Sequence, residues 1–396
     1  MQVYLDNAAT TKMSRAALDA MLPYFDELYG NPSSLHSMGQ RAKEALDAAR
    51  AMVARCLGAA PHEIYFTSGG SEADNQAILS AAAIGARKGK KHIITTAFEH
   101  HAVLHTLKKL EKEGYEVTYL SVGREGNVTA EQVEAAVRED TCLVTVMTAN
   151  NEIGSVLPIA EIGAVCRERS VPFHTDAVQA VGHIPVNVAK MNVDMLSLSA
   201  HKFHGPKGVG VLYARRGIYL SSLIEGGAQE SGKRAGTENL AGIVGLAAAL
   251  KEATDHLSEN MVKVAALRDK LIAGLSTIPH SVLNGDKINR LPGNVHFCFE
   301  GIEGESLLLL LDEYEIEASS GSACTSGSLD PSHVLLAIGH PHEIAHGSLR
   351  LSLSEYTTEE DIDYALQIIP AVVARLRGMS PIWRDKVKGI KPFLLQ

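Results

Sequence analysis

DMLSLSAHKFHGPKGVGVLYA, residues 194–214, sets two apolar runs on either side of a short polar stretch containing Gly205, Pro206 and Gly208. The runs DMLSLSA (194–200) and VGVLYA (209–214) read as strands. HGPKG (204–208) joins them directly, without room for a crossover helix, so one of the pair runs antiparallel. Further strand candidates precede them: IYFT (64–67), HIITTA (92–97), VTYLSV (117–122), CLVTVMTA (142–149) and PFHTDA (172–177). Helical patterns fill many of the gaps, at 71–88, 101–114 and 159–170. This alternation predicts an α/β fold with a mostly parallel seven-stranded sheet flanked by helices.

Beyond a long helical region near 239–278 the pattern changes. GNVHFCF (293–299), EIEASSG (315–321) and GSLRLSLS (347–354) read as strands of a smaller sheet, covered by helices at 304–314 and 358–379. The expected division is an N-terminal segment 1–14 packing with the small domain, a large domain 15–258, a small α+β domain 259–380, and an appended tail 381–396.

The chain has 396 residues, 45% hydrophobic and 21% charged, which is ordinary globular composition. A formal charge of −9 argues against an open nucleic-acid surface. No apolar run of about eighteen residues occurs, so no membrane binding is expected. MQVYLDNAATTK lacks the basic and apolar regions of a signal peptide. Five scattered cysteines, with no C-x-x-C pair, point to a reduced, cytoplasmic setting.

Ligands of open α/β sheets sit beyond the carboxyl ends of the strands. Here four successive strand candidates run into His100, into Asn150 and Asn151, into Asp176 with Gln179 beyond, and into His201 and Lys202. IYFT runs into TSGGSEADN, where Gly69 and Gly70 permit a tight turn and Ser71 stands at a helix start. That turn suits a phosphate, or is an ordinary capped helix. Lys202 at an apolar strand end is expected to be partly desolvated, which favours the neutral amine that makes a Schiff base; a structural ion pair is the other reading. Lysine, carboxylate and phosphate cradle together are what pyridoxal phosphate requires. The histidines show no H-E-x-x-H or comparable spacing, so no metal is expected.

Cys324 lies in ASSGSACTSGSLDPS, a small, polar, glycine-containing loop sequence. It reads either as a swinging nucleophile or as an incidental surface thiol. Cys56, Cys142, Cys166 and Cys298 sit in apolar or helical settings and read as core fillers. Arg350 alternates with leucines in GSLRLSLS, as a carboxylate-binding fork or an edge-strand ion pair. Thr237, in GKRAGTEN, fits a helix cap or a second phosphate contact.

YLDNAATT, YGNPSSLH, TSGGSEADN, EHHAV, NNEIGS, HTDAVQ, SAHKFHGPKG, KRAGTEN and SSGSACTSG follow one another in that order. The series resembles the NifS/IscS cysteine desulfurases of the class-V aminotransferases, pyridoxal-phosphate enzymes of fold type I, from about residue 3 to residue 380. The resemblance implies that Lys202 holds pyridoxal 5'-phosphate covalently, Asp176 pairs with its ring nitrogen, His100 stacks on the ring and Gln179 bonds its phenolate oxygen. Gly70, Ser71, Ser199 and His201 would bind the phosphate, and Thr237 would reach that of the neighbouring subunit in a homodimer. Asn151 and Arg350 would orient the carboxylate of L-cysteine, and Cys324 would take the sulfur as a persulfide for an iron–sulfur scaffold protein of the NifU/IscU kind. Ser71 stands where many members have Thr, and the hydroxyl survives. An aminotransferase or a cysteine/selenocysteine lyase on the same fold would explain Lys202 and Asp176 but not the loop around Cys324. A non-catalytic scaffold would explain neither.

Overall fold

The computed structural model describes residues 1–321 and 331–395. A first short strand, β1 (Val3–Tyr4), precedes the strands of the large sheet. These are β2 (Ile64–Thr67), β3 (His92–Thr96), β4 (Glu116–Leu120), β5 (Thr141–Thr145), β6 (Phe173–Asp176), β7 (Met195–Ser199) and β8 (Gly210–Ala214). Their order is β2-β8-β7-β6-β5-β3-β4. β3 to β7 are mutually parallel, and β8 runs antiparallel to both its neighbours, as the direct HGPKG connection requires.

The sheet is buried on both faces because successive residues of each strand feed different cores. Ile93, Leu143, Met195 and Leu212 pack with Ala73, Ala77, Ile78 and Ala81 of the helix Gly70–Arg87. Their neighbours Ile94, Val144, Leu196 and Val211 belong to a larger core on the other side, with Leu46, Val53, Leu246 and Leu250 from two other helices. Truncating one such leucine to alanine costs roughly 2–5 kcal/mol. The edge strand β4, reading EVTYL, is the exception and is only half-buried, as its polar positions dictate.

Four strands follow: β9 (Ser281–Leu283), β10 (Asn294–Phe299), β11 (Ile316–Glu317) and β12 (Ser348–Ser352). β10 pairs antiparallel with β9 and β12. The helices Leu257–Leu275, Gly304–Glu313 and Glu359–Met379 cover this sheet through a separate core that includes Leu271, Phe297, Leu307, Leu351 and Ile362.

Two sequence expectations change and one is refined. EIEASSG is not a strand of the small sheet: only Ile316 and Glu317 are extended, and they pair in parallel with β1. Ser319 makes a single bridge to Arg350. The region 239–278 holds two helices, Leu240–Asp255 and Leu257–Leu275, parted at His256. The segment after Trp383 is packed rather than merely appended. Lys386 is buried against Glu300 at 2.7 Å, and Glu300 also accepts the N–H groups of Leu394 and Leu395.

Candidate active site

The carboxyl ends of β3, β5, β6 and β7 open into a cavity of about 280 Å³. Gly70, Ser71, His100, Asn151, Asp176, Gln179, Ser199, His201, Lys202 and Arg350 all line it. Parallel pairing explains the convergence: strands in register release their next residues at one edge of the sheet. Thr237 is elsewhere, lining a smaller cavity of about 70 Å³ with Phe66, Ser68 and Arg234. Cys324 lies outside the described residues.

One end of the cavity is a cradle. The helix Gly70–Arg87 starts there without a side-chain cap, so its first N–H groups can meet an anion. Glycine at position 70 keeps the cradle open, because a Cβ there would stand 2.6 Å from Val178 Cγ2 and Val178 would have to shift. Ser199 and His201 close the cradle from the end of β7. His201 meets the Thr10 hydroxyl at 3.2 Å, and burial together with the Lys202 charge pushes its ring down to about 4, leaving it neutral.

Asp176 ends β6. Its Oδ1 accepts the Val178 N–H at 2.9 Å. Burial raises its carboxyl to about 6, against the opposing pull of that N–H and of Lys202. Lys202 follows β7 and donates to the Ala8 and Ala9 carbonyls at 2.6 and 2.8 Å. Gln179 donates to the same Ala8 carbonyl at 3.0 Å. His100 caps the helix His101–Lys112 by accepting the Ala102 N–H on Nδ1. Burial pushes its ring down to about 4, so it is an uncharged plane at neutral pH.

Arg350 comes from β12 and is 2% exposed. It donates to the Asn151 carbonyl and to Asp6 Oδ1, both at 3.0 Å, while its Nε is buried without a partner. A guanidinium fork with an unused donor at a cavity wall suits a carboxylate ligand.

Several lining residues were given no role in the sequence reading. The Ala8 and Ala9 carbonyls arrive because β1 pairs with β11 and Asn7 donates to the Ser352 carbonyl. Glu152, inside the quoted NNEIGS, is buried and bonds the Ser332 hydroxyl. Asp74, inside the quoted TSGGSEADN, lies one helical turn after Gly70 and therefore on the same face. Oxygens of Asp74 and Asp176 and a ring nitrogen of His100 lie within 4.8 Å of one another, a metal-like spacing among the described residues.

The four described cysteines are poor nucleophiles. Burial raises Cys142 to about 11 and both Cys166 and Cys298 to about 12, and it also raises half-buried Cys56.

Residues 3–365 match the family model described as aminotransferase class-V. The cysteine desulfurase IscS of Clostridium botulinum is 55% identical over 391 residues, covering 98% of both chains. That of Methanosarcina thermophila is 54% identical, over 96% of this chain and 94% of its own. A solved NifS-like protein superposes with a TM-score of 0.89 at 41% identity, covering 95% of this chain and all of its own. Site geometry, fold and sequence agree: the chain belongs to the aminotransferase class-V family and, within it, to the cysteine desulfurases.

Proposed function

We propose that this chain binds pyridoxal 5'-phosphate on Lys202, converts L-cysteine to L-alanine, and receives the sulfur on Cys324. The observation that carries the reading is the single cavity joining a phosphate cradle, a buried carboxylate, a neutral histidine, a lysine and a buried arginine. These residues fit the cofactor. Gly70, Ser71, Ser199 and His201 would hold its phosphate, Asp176 its ring nitrogen, His100 its ring face and Gln179 its phenolate oxygen. When bound, it supplies the electron sink that lets the Cα–H and then the Cβ–Sγ bond of cysteine break.

The chain's own groups do the rest. Arg350 and Asn151 orient the substrate carboxylate. The Lys202 amine takes the α-proton and later returns a proton. The Cys324 thiolate attacks the substrate sulfur: one C–S bond breaks, one S–S bond forms, and cysteine plus thiol become alanine plus persulfide with no outside oxidant. The four described cysteines, buried or half-buried and with raised thiols, leave this role to Cys324.

On this reading the acceptor of the persulfide sulfur is an iron–sulfur scaffold protein, the chain works as a cytoplasmic homodimer, and Thr237 reaches the partner's phosphate. The separate core around β10 supports a division into a large domain 15–258 and a small domain 259–380, with 1–14 packed on the latter. Among the described residues, no helix is long and apolar enough to cross a membrane. Intact mass after incubation with cysteine, mapped to peptides, tests the proposal. One added sulfur on the Cys324 peptide, matched by alanine release, is the expected result. Pyruvate in place of alanine, or sulfur on another cysteine, refutes it.

A further inference from the structure

The helix Gly70–Arg87 brings a second carboxyl to the cavity. Asp74 is 1% exposed and lines the space that Asp176 lines. Its Oδ1 is buried without a hydrogen-bond partner. His174 Nε2 lies 3.5 Å away but is engaged by the Ser197 hydroxyl at 2.9 Å. Burial pushes the His174 ring down to about 3, so it offers Asp74 no countercharge.

The titratable groups around Asp74 are His174 and Asp176 on β6, Glu99 and His100 beyond β3, and Lys202 beyond β7. Their distribution is unequal. Asp176 has the Val178 N–H and the Lys202 charge on its side. Asp74 has the Ser197 hydroxyl, with Asp176 and Glu99 set against it. Two buried carboxyls this close cannot both ionise.

We propose that Asp74 is a positioning residue acting through Asp176: it retains the one proton of this carboxyl pair, so that Asp176 stays the anion that meets a cationic ring nitrogen. Burial, followed by the neighbouring Asp176, holds the Asp74 carboxyl well above the usual range, in agreement. The cationic partner rests on the proposed function; the location of the proton does not.

The test is isotope-edited infrared spectroscopy at neutral pH on the full chain with aspartate labelled with carbon-13 at Cγ, cofactor-loaded and after stripping. Labelling aspartate alone keeps the buried Glu99 out of the spectrum. A protonated-carboxyl band is expected in the wild type, lost in Asp74→Asn and in Asp74→Ser, and kept in Asp176→Asn. A band that survives both Asp74 variants and disappears in Asp176→Asn overturns the inference, as does the absence of any such band in the wild type. If the band behaves as expected while cysteine yields no alanine, the proton assignment stands and the proposed function fails.

Discussion

Two parts of the cavity lining are built by different means. Lys202, Asp176 and His100 follow parallel strands of one sheet, and their places are set by backbone pairing and by cores on both faces. Arg350 rides on a three-stranded sheet and is held by Asp6 from the N-terminal segment and by the Asn151 carbonyl. The first part is therefore expected to tolerate loss of a side chain at the strand ends without moving its neighbours. The second is a meeting of three distant stretches of chain, so the bonds of Arg350 to Asp6 and to the Asn151 carbonyl also hold the cavity wall together.

The comparison can be broken most severely at Lys202. Lys202→Ala is expected to abolish alanine formation from cysteine, by at least about 10⁴-fold, since on the proposed function one amine serves as attachment point and base. The fold should survive, because Lys202 follows β7 at the rim of a sheet whose strand pairing and two cores are built by other residues. A thermal melt near that of the wild type, with no turnover, is the expected pair of results.

Arg350 should behave differently. Arg350→Lys keeps the charge but loses the fork, so the KM for cysteine is expected to rise about 10- to 100-fold with a smaller change in kcat. It should also lower the melting temperature, because Asp6 loses a geometrically matched buried partner. An unchanged melt alongside a raised KM would show that the second part is as rigid as the first.

A third expectation concerns pH. Burial, opposed by bonds from Thr96 and Met147, raises the Glu99 carboxyl to about 8. A raised acid binds its proton more tightly in the folded chain, so its contribution is intact below about pH 4.5 and is lost as pH rises through about 8. Glu99→Gln is expected to flatten the fall in stability between those limits, by a few kcal/mol at most. Denaturant melts of both proteins across that range measure it. His100 acts in the opposite sense: its lowered ring destabilises the fold as pH falls from about 6.5 to about 4.

The sheet was legible because its strands are short β-branched runs with turn residues at each end. IYFT occupies 64–67 in both readings, and the strand edge carrying His100, Asp176 and Lys202 followed from strand ends alone. β1 and β9 were not legible. Two or three residues carry no period, and β1 exists because its partner lies more than 300 residues away. Asp74 was quoted within a motif but not weighed. A polar residue on a helix looks solvated until the packing of that helix over β6 and β7 is known. Thr237 lies outside this cavity, in a smaller one with Phe66, Ser68 and Arg234, where the strand ends gave no guide to its place.

The smallest expected effect sharpens the contrast from the other side. On the proposed function, Ser71 contributes one hydroxyl to a cradle whose main donors are backbone N–H groups at a helix start, reinforced by the helix dipole. Ser71→Ala leaves those donors in place and removes one hydrogen bond, worth about 1 kcal/mol net. Cofactor affinity is therefore expected to fall only about 5-fold, read as the dissociation constant for pyridoxal 5'-phosphate in stripped protein. Ser71→Thr, which keeps the hydroxyl, is expected to match the wild type. Gly70→Ala makes the complementary case: it keeps every polar group but drives a methyl into Val178, and it is expected to cost more than Ser71→Ala does. If the serine variant were the worse of the two, the anion would be held by side chains, and the cradle would belong with Arg350 rather than with the strand edge.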